Sequence, residues 1–247
     1  MLNILVLLYL TMSGIEIVSI EGNIGSGKST FLTRLEHHLI QEGHSHLIFV
    51  DEPVEEWSEI CDKAGETILQ KFYAVPEKYS FPFQMMAFIT RYRGLKQAVE
   101  KALEIMANTQ MTNNLAIKPI IVTERCLYTD KHVFAQMLYD DNKIEDVNFT
   151  IYNKWFDAFA SEFPIQKIIY MDTNPELCDT RIRKRSRSGE SNVPLTYLQS
   201  CDKYHTTMLE QMSSRGVQVD RLDGNKDLEE GVLYTDMLNK AMSLIIN

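Results

Sequence analysis

Short runs of apolar residues recur along the chain and are separated by longer amphipathic stretches. Runs without polar alternation are typical of strands that are buried on both faces of a parallel sheet. The runs are Ile15–Ile20, Leu47–Val50, Pro119–Thr123, Lys167–Met171 and a weaker Val217–Leu222. The amphipathic stretches are Thr30–Gln41, Phe83–Met106, Asp130–Tyr139, Asn148–Phe163 and Pro194–Met212. This alternation predicts a doubly wound α/β fold, in which ligands bind beyond the carboxyl ends of the strands.

The first predicted strand runs into a phosphate-binding loop (P-loop) pattern, G-x-x-x-x-G-K-[ST], which is met by Gly22-Asn23-Ile24-Gly25-Ser26-Gly27-Lys28-Ser29. A predicted helix opens near Lys28, so the pattern has the strand–loop–helix context that it requires. Backbone N–H groups and the positive end of the helix dipole can surround phosphate oxygens there. Lys28 would reach the β- and γ-phosphates, and the Ser29 hydroxyl would bind Mg²⁺. The sequence thus predicts a nucleoside triphosphate site, and a plain glycine-rich turn is the alternative.

An acidic cluster follows the second predicted strand. A hydroxyl that attacks a γ-phosphoryl group needs a base within hydrogen-bond reach, and a carboxylate at a strand end can supply it. The candidates are Asp51, Glu52, Glu55 and Glu56. The residues alone do not choose among the four, and a solvated loop is the alternative.

Glu124 and Arg125 end the third predicted strand, and Asp130 lies in the opening turn of the next helix. Glu124 could hold Mg²⁺ directly or through water, and Arg125 could brace the base or the acceptor oxygen. A helix N-terminus with favourable acids beside a surface arginine is the alternative explanation.

A run of arginines stands out in a chain whose formal net charge is −9. In a helix Arg181 and Arg185 would share one face, and Arg183 and Arg187 another. On a lid over the phosphates they would neutralise the charge that develops in phosphoryl transfer. The alternatives are a nuclear-localisation or a nucleic-acid patch, and the negative net charge disfavours a general nucleic-acid role.

Length and composition fit one domain. The chain has 247 residues, of which 45% are hydrophobic and 24% charged. Residues 1–11 are apolar but too short to span a bilayer, and they lack signal- and transit-peptide features. We favour an extension upstream of a start at Met12 over a disordered or packed one, with the domain over 12–247. We expect no membrane or nucleic-acid partner and a cytoplasmic location, with the nucleus as the alternative.

An aromatic-rich stretch, from Phe72-Tyr73 to Phe83-Gln84, precedes the long amphipathic stretch that carries Arg91. Core packing is the ordinary role of such aromatics. Phe83-Gln84 also combines a stacking face with an amide that offers both a donor and an acceptor. That combination suits the edge of a nucleobase.

Together these motifs resemble those of the deoxyribonucleoside kinase family, which contains deoxycytidine, deoxyguanosine and mitochondrial thymidine kinases and the insect multisubstrate enzyme. The resemblance covers nearly everything from Ile15 to the C-terminus. Its motifs are EGNIGSGKST (21–30), EPVEEW (52–57), FYAVPEKYSFPFQ (72–84), ERCLYTDKHVFA (124–135) and the arginine lid with its trailing PLTYL (194–198). It implies a P-loop kinase fold, with a five-stranded parallel sheet, helices on both faces and an arginine-rich lid at about 181–193. It also implies ATP-dependent phosphorylation of the 5′-hydroxyl of a deoxyribonucleoside in nucleotide salvage, with Mg²⁺ and with ATP or another nucleoside triphosphate as donor.

The resemblance further implies roles for single residues. Glu52 matches the family's general base, Arg125 the residue that pairs with this base, and Glu124 a residue near Mg²⁺. Gln84 matches the amide that reads the nucleobase. Phe83 and Phe134 match the aromatic residues on the faces of the nucleobase, and Tyr73 and Glu190 match the pair at the sugar 3′-hydroxyl. The donor phosphates would contact the P-loop through Thr30 and the lid arginines Arg181, Arg185 and Arg187. Trp57 and Ile24 would line the pocket.

Base preference is implied by Ala87, Arg91 and Asp130, which resemble the deoxycytidine and deoxyguanosine kinase pattern. Relatives that accept thymidine tend to have an apolar residue at the position of Arg91. An Arg–Asp pair suits a cytosine or purine edge and crowds the thymine methyl group. We therefore expect deoxycytidine and purine deoxynucleosides to be preferred over thymidine. A thymidine-accepting or broad-specificity enzyme is the alternative.

Two further functions are disfavoured. A thymidylate-type monophosphate kinase would need cationic clamps for a phosphate acceptor rather than a carboxylate base. A catalytically silent structural relative would be expected to have lost the P-loop lysine, the base or the lid arginines, and all are present. Family members pair through long helices, here Phe83–Met106 and Asn148–Phe163, so the resemblance implies a homodimer.

Overall fold

A computed structural model describes residues 14–111, 118–185, 193–226 and 232–246. Within these ranges the strands are β1 (Glu16–Gly22), β2 (Leu47–Val50), β3 (Ile120–Glu124), β4 (Lys167–Asp172) and β5 (Gln218–Asp223). They form one sheet of order β2-β3-β1-β4-β5, in which every pairing is parallel. Each strand overlaps a predicted apolar run, so the predicted five-stranded parallel sheet is confirmed.

Helices fill the connections between the strands. In chain order they are α1 (Lys28–Gln41), α2 (Val54–Glu59), α3 (Ile68–Ala74), α4 (Pro76–Met111), α5 (Leu127–Thr129), α6 (Gln136–Asp140), α7 (Asp146–Phe159), α8 (Pro175–Arg185), α9 (Leu195–Ser214) and α10 (Val232–Ile246). A π-helical segment (Asp130–Ala135) joins α5 to α6, and a 3₁₀ turn (Ala160–Glu162) follows α7. In the described part of the chain, no helix is both long and apolar enough to cross a membrane.

The central strand β1 contributes to two cores because successive side chains of a strand point to opposite faces of the sheet. Ile17 packs with residues of α4, α7 and α9 on one face. Val18 and Ile20 pack with residues of α1 and α10 on the other. Helices therefore cover both faces, as predicted. Ser19 and Glu21 share the face of Ile17 and are fully buried there.

The long helix differs from the prediction of Phe83–Met106. It spans Pro76–Met111 and contains Pro82. Pro76 is favourable at the first helical position because the N–H that a proline lacks needs no partner there. Pro82 removes a further N–H, yet the helix continues because Phe81 and Phe83 on either side of it pack into an aromatic cluster. Tertiary packing outweighs the local tendency of proline to end a helix.

Three of the predicted motifs meet at the carboxyl edge of the sheet. β1 leads into the P-loop and then into α1, which begins at Lys28 as predicted. β2 leads to Glu52, and β3 ends at Glu124. Because the strands are parallel, all three ends lie at one edge, where ligands of open α/β sheets bind.

Candidate active site

A cavity of about 430 Å³ opens at this edge of the sheet. The predicted site residues that line it are Ile24, Gly25, Gly27, Lys28, Ser29, Thr30, Glu52, Trp57, Tyr73, Phe83, Gln84, Ala87, Arg91, Glu124, Arg125, Asp130, Phe134, Arg181 and Arg185. The P-loop residues Gly22, Asn23 and Ser26 are buried and are not part of this lining, and Arg187 and Glu190 fall outside the described residues. Motifs that are far apart in sequence are thus brought to one cavity.

The P-loop packs closely against α8, and the Lys28 side chain is buried. Gly25 has a φ of +77°, and a Cβ added there would lie 2.6 Å from the carbonyl oxygen of Cys178 in α8. The Lys28 ammonium donates to the carbonyl oxygen of Asn23 at 2.8 Å. Burial, together with the charge of Arg125, lowers the pKa of Lys28 to about 8. This buried cation would be stabilised by the anionic charge of bound phosphates.

Glu52 is the one carboxylate of the acidic cluster that lines the cavity. Its Oε1 accepts a hydrogen bond from Nη1 of Arg125 at 2.6 Å and from Nη2 of Arg91 at 3.3 Å. Burial by itself would raise the pKa of Glu52, but Arg125, Arg91 and Lys28 outweigh burial and lower this pKa to about 2. Glu52 is therefore ionised and able to accept a proton.

The other three carboxylates of the cluster lie away from the cavity. Asp51 and Glu55 are exposed, and Glu56 forms an ion pair with the exposed Arg93 of α4. The residue pattern alone left the four carboxylates as equal candidates for the base, and Glu52 is the one of the four that lines the cavity.

Arg125 has a backbone conformation that is unusual for a residue with a side chain. Its φ is +62°, in the left-handed region. Two hydrogen bonds hold this turn: the Arg125 amide donates to the carbonyl oxygen of Ile20 at 3.1 Å, and Thr123 Oγ1 donates to the carbonyl oxygen of Arg125 at 2.9 Å. The turn directs the guanidinium to Glu52, and Nη2 also donates to the carbonyl oxygen of Gly22 at 3.3 Å.

Glu124 and Ser29 bring two oxygen ligands together beside the P-loop. Ser29 Oγ donates to Oε1 of Glu124 at 3.0 Å, and the Lys28 ammonium lies 3.9 Å from the same oxygen. Burial and the charge of Glu52 raise the pKa of Glu124. No group of three or more His, Cys, Asp or Glu side chains among the described residues could hold a metal ion.

Arg91 lies at the centre of a buried ion network. Its Nε donates to Oδ2 of Asp130 at 2.8 Å, and its Nη1 donates to the carbonyl oxygen of Glu124 at 2.6 Å. Burial raises the pKa of Asp130, although Arg91 opposes this effect. Arg91 also donates to Glu52. The Arg91–Asp130 pair, which is expected to read the nucleobase, is therefore hydrogen-bonded to the candidate general base. The sequence did not reveal this link.

Aromatic rings form one wall of the cavity. Phe83 contacts Trp57 edge to face at 5.5 Å between ring centroids, and it stacks on Phe72 at 4.8 Å. Phe72 contacts Tyr73, which in turn meets Tyr197 of α9 edge to face. The wall is therefore continuous from α2 to α9 and offers flat apolar surface to a ring system.

Gln84 and Phe134 face the cavity from different elements. The Gln84 side chain is 2% exposed and makes no hydrogen bond within the described residues, so its amide is available to a ligand. Phe134 lies in the π-helical segment that Asp130 begins, and the Arg125 guanidinium is 5.2 Å from its ring centroid. Short π-helical segments are frequent at functional sites, and this one carries both Asp130 and Phe134 to the same cavity.

Arg181 and Arg185 line the cavity from the last turns of α8. Arg181 donates to the carbonyl oxygen of Ser26 at 3.1 Å and to that of Lys226 at 3.2 Å. It therefore ties the P-loop to the turn after β5 while facing the cavity. The lid itself stays a prediction, because 186–192 lie outside the described residues.

Further residues line the cavity that were not predicted as site residues: Arg34, Val54, Leu69, Phe72, Lys184 and Tyr197. Phe72 and Tyr197 belong to two of the family-like motifs, FYAVPEKYSFPFQ and PLTYL, so motif membership was the available signal. Phenylalanine and tyrosine occur both in cavity walls and in packed cores, so the residue type alone does not distinguish the two. Arg34 follows the P-loop by more than one helical turn, and no sequence pattern marked it.

Comparison with known proteins adds an independent finding. The family model for deoxynucleoside kinase matches residues 18–245. A deoxycytidine kinase of Mus musculus is 32% identical over 211 residues, which cover 79% of this chain and 75% of that protein. A deoxycytidine kinase of Homo sapiens is 30% identical over 249 residues, covering 94% and 91%. A mitochondrial deoxyguanosine kinase of Xenopus laevis is 27% identical over 251 residues, covering 93% and 89%.

The parallel sheet, the P-loop and the cavity define a phosphotransferase of the P-loop kinase class. The chain belongs to the deoxynucleoside kinase family. It is accordingly an enzyme that phosphorylates deoxynucleosides, with a nucleoside triphosphate as donor.

Proposed function

We propose that this protein transfers the γ-phosphoryl group of ATP, or of another nucleoside triphosphate, to the 5′-hydroxyl of a deoxyribonucleoside in nucleotide salvage. The observation that carries the proposal is the position of Glu52. This carboxylate lines the same cavity as the P-loop and is held ionised by Arg125 and Arg91. The residues proposed for the donor phosphates and for the base therefore line one cavity, which supports the proposal.

In the proposed reaction the 5′ oxygen forms a bond to the γ-phosphorus while the bond from that phosphorus to the β–γ bridging oxygen breaks. Glu52 accepts the hydroxyl proton, and Arg125 holds the 5′ oxygen. The transition state of such transfers is loose, so orientation and charge stabilisation matter more than a strong base. A carboxylate with a pKa of about 2 can fill this role.

The donor phosphates would lie against the P-loop backbone, with Lys28, Arg181 and Arg185 as cations beside them. The oxygen pair of Ser29 and Glu124 fits Mg²⁺, which prefers hydroxyl, carboxylate and phosphate oxygens. Bound there with the triphosphate, Mg²⁺ would neutralise charge on the β- and γ-phosphate oxygens.

For the acceptor we propose deoxycytidine and purine deoxynucleosides in preference to thymidine. The Gln84 amide, which makes no hydrogen bond within the described residues, and the Asp130–Arg91 pair offer several donors and acceptors in the cavity that the aromatic wall lines. A site of buried polar groups rejects a base that leaves these groups unpaired. The deoxycytidine and deoxyguanosine kinases among the relatives support the same preference.

We also propose that the protein acts as a homodimer. Helix α7 exposes Val147, Ile151 and Trp155, which share one helical face, at 69%, 41% and 41%. Ile89 of α4, the helix that packs against α7, is 44% exposed. Apolar side chains gathered on neighbouring helices are typical of an interface.

The test is a comparison of kcat/KM for the four natural deoxynucleosides with ATP and Mg²⁺, in the wild type and in Glu52→Gln. We expect turnover of deoxycytidine or a purine deoxynucleoside to exceed that of thymidine. Loss of the base should lower kcat by about 10²- to 10⁴-fold. Glu56→Gln is the matched control, since Glu56 makes a surface ion pair with Arg93. Near wild-type turnover by Glu52→Gln would contradict the assignment of the base.

A further inference from the structure

Glu21 is a buried carboxylate that the proposed transfer does not use. It directly precedes Gly22, the first P-loop residue, and is 0% exposed. Its Oε1 accepts hydrogen bonds from Ser19 Oγ at 2.6 Å and from Thr129 Oγ1 at 2.5 Å, while Oε2 has no hydrogen-bond partner among the described residues. A buried carboxylate costs free energy unless hydrogen bonds and charges compensate it. The compensating charges come from the three buried cations of the site, Lys28, Arg91 and Arg125.

The two donors to Glu21 belong to different parts of the molecule. Ser19 lies in β1, two residues before Glu21 and on the same face of the sheet. Thr129 ends α5 and directly precedes Asp130. The bond from Thr129 therefore joins the residue beside the P-loop to the residue beside the candidate base-reading aspartate.

The sheet does not make this connection. The pairing of β1 with β3 ends at Ile20 and Glu124, after which the chain turns through the left-handed Arg125. Beyond that point, the side-chain hydrogen bond from Thr129 to Glu21 links the end of α5 to β1. The contact of Thr129 Oγ1 with Glu21 Oε1 at 2.5 Å is short for a hydroxyl–carboxyl hydrogen bond and joins two fully buried side chains.

We propose that Glu21 is a positioning residue that, through Thr129, fixes the acceptor half of the site against the P-loop. The inference rests on the proposed function, since it takes Asp130 as part of the acceptor site. The attacking oxygen, the phosphorus and the leaving oxygen must lie nearly in line. A small displacement of one half against the other would therefore lower kcat more than it raises either KM.

The test uses three variants of the full chain. Thr129→Val keeps the shape of the side chain but removes the donor to Glu21, and we expect kcat to fall about 10-fold or more, with the KM for ATP within about twofold of wild type. Thr129→Ser restores a hydroxyl and should recover most of kcat. Ser19→Ala is the matched control because it removes a hydrogen bond to the same oxygen within β1 alone. It should leave kcat within about twofold of wild type.

Thermal unfolding of each variant is measured as well, and kcat is determined at a temperature at which all variants are folded. The concentration of folded enzyme used to calculate kcat is taken from a titration of ATP-binding sites. If Thr129→Val does not fold, Thr129→Ala takes its place at a lower temperature. Equal kcat in Thr129→Val and wild type overturns the inference, as does an equal loss in Ser19→Ala, which would indicate a general effect on packing. Absence of deoxynucleoside turnover in the wild type would overturn the proposed function first, and this inference with it.

Discussion

At the scale of residues, one buried guanidinium connects several parts of the site. Glu52, Asp130 and the backbone of Glu124 all share the guanidinium of Arg91. From sequence, Arg91 had a single role in reading the nucleobase. Its second role could not be predicted, since the contact with Glu52 depends on how α4 lies across the ends of β2 and β3. A change at Arg91 should therefore affect both the proposed general base, Glu52, and the preference among nucleoside acceptors.

The first prediction concerns pH dependence. With a pKa of about 2, Glu52 stays ionised across the neutral range, so its protonation should not lower the wild-type kcat/KM for the nucleoside until strongly acidic pH. Arg91→Met removes one of the cations that lower this pKa. The pKa should rise, and activity should then be lost at a higher pH as the solution is acidified.

Arg93→Met is the control for this experiment. It makes the same replacement on the same helix, but Arg93 is exposed and paired with Glu56. The kcat/KM profiles are compared only where circular dichroism shows both variants folded. Coinciding acid limbs in Arg91→Met and wild type would mean that Arg91 does not influence the base.

The second prediction concerns acceptor choice. Replacing Arg91→Met together with Asp130→Ala removes the polar pair that would crowd a thymine methyl group. The ratio of kcat/KM for thymidine to that for deoxycytidine should rise about 10-fold or more. The ratio is the quantity to measure, because loss of the contact with Glu52 lowers turnover of both substrates. An unchanged ratio would contradict this account of the pocket.

At the scale of elements, the sequence was most informative where local pattern and tertiary environment agree. β1 and β3 are continuous apolar runs because both of their faces are covered, and their bounds were predicted closely. α4 is longer than predicted at both ends, and it starts earlier because its packing, not its local propensity, carries it through Pro82. The π-helical segment after α5 has no recognised sequence signal, although it presents Asp130 and Phe134 together.

The third prediction concerns the packing of α8 on the P-loop. Gly25 and Gly216 both have positive φ, +77° and +89°, but only Gly25 is crowded: an added Cβ would lie 2.6 Å from the Cys178 carbonyl oxygen and 2.9 Å from Ile182. Each replacement by alanine costs about 1–2 kcal/mol for the backbone conformation. Gly25→Ala should lose more free energy of unfolding than Gly216→Ala and should raise the KM for ATP.

Urea unfolding and steady-state kinetics measure the two effects. Gly216→Ala is the control, since nothing lies within 4 Å of its added Cβ, and it should leave the KM for ATP unchanged. Equal losses of unfolding free energy in the two variants would show that α8 can move away from the loop without cost.

At the scale of the whole molecule, the residues proposed for the donor and for the acceptor lie on different elements that converge at one sheet edge. Sequence motifs identified most of the cavity. Three of them lie at the ends of β1, β2 and β3, and parallel strands must end together. How the proposed donor and acceptor residues are placed relative to each other could not be predicted from the sequence. It depends on single contacts, such as that of Glu21 with Thr129, between residues 108 positions apart.

The last prediction concerns the exposed face of α7. If this face pairs two copies of the chain, a charge placed in its centre will be desolvated without a partner in the dimer. Ile151→Glu should therefore sediment as a monomer under conditions in which the wild type sediments as a dimer. Ile40→Glu is the matched control: Ile40 is 60% exposed on α1, which covers the opposite face of the sheet. A monomeric wild type, or dissociation of both variants alike, would show that α7 is not the interface.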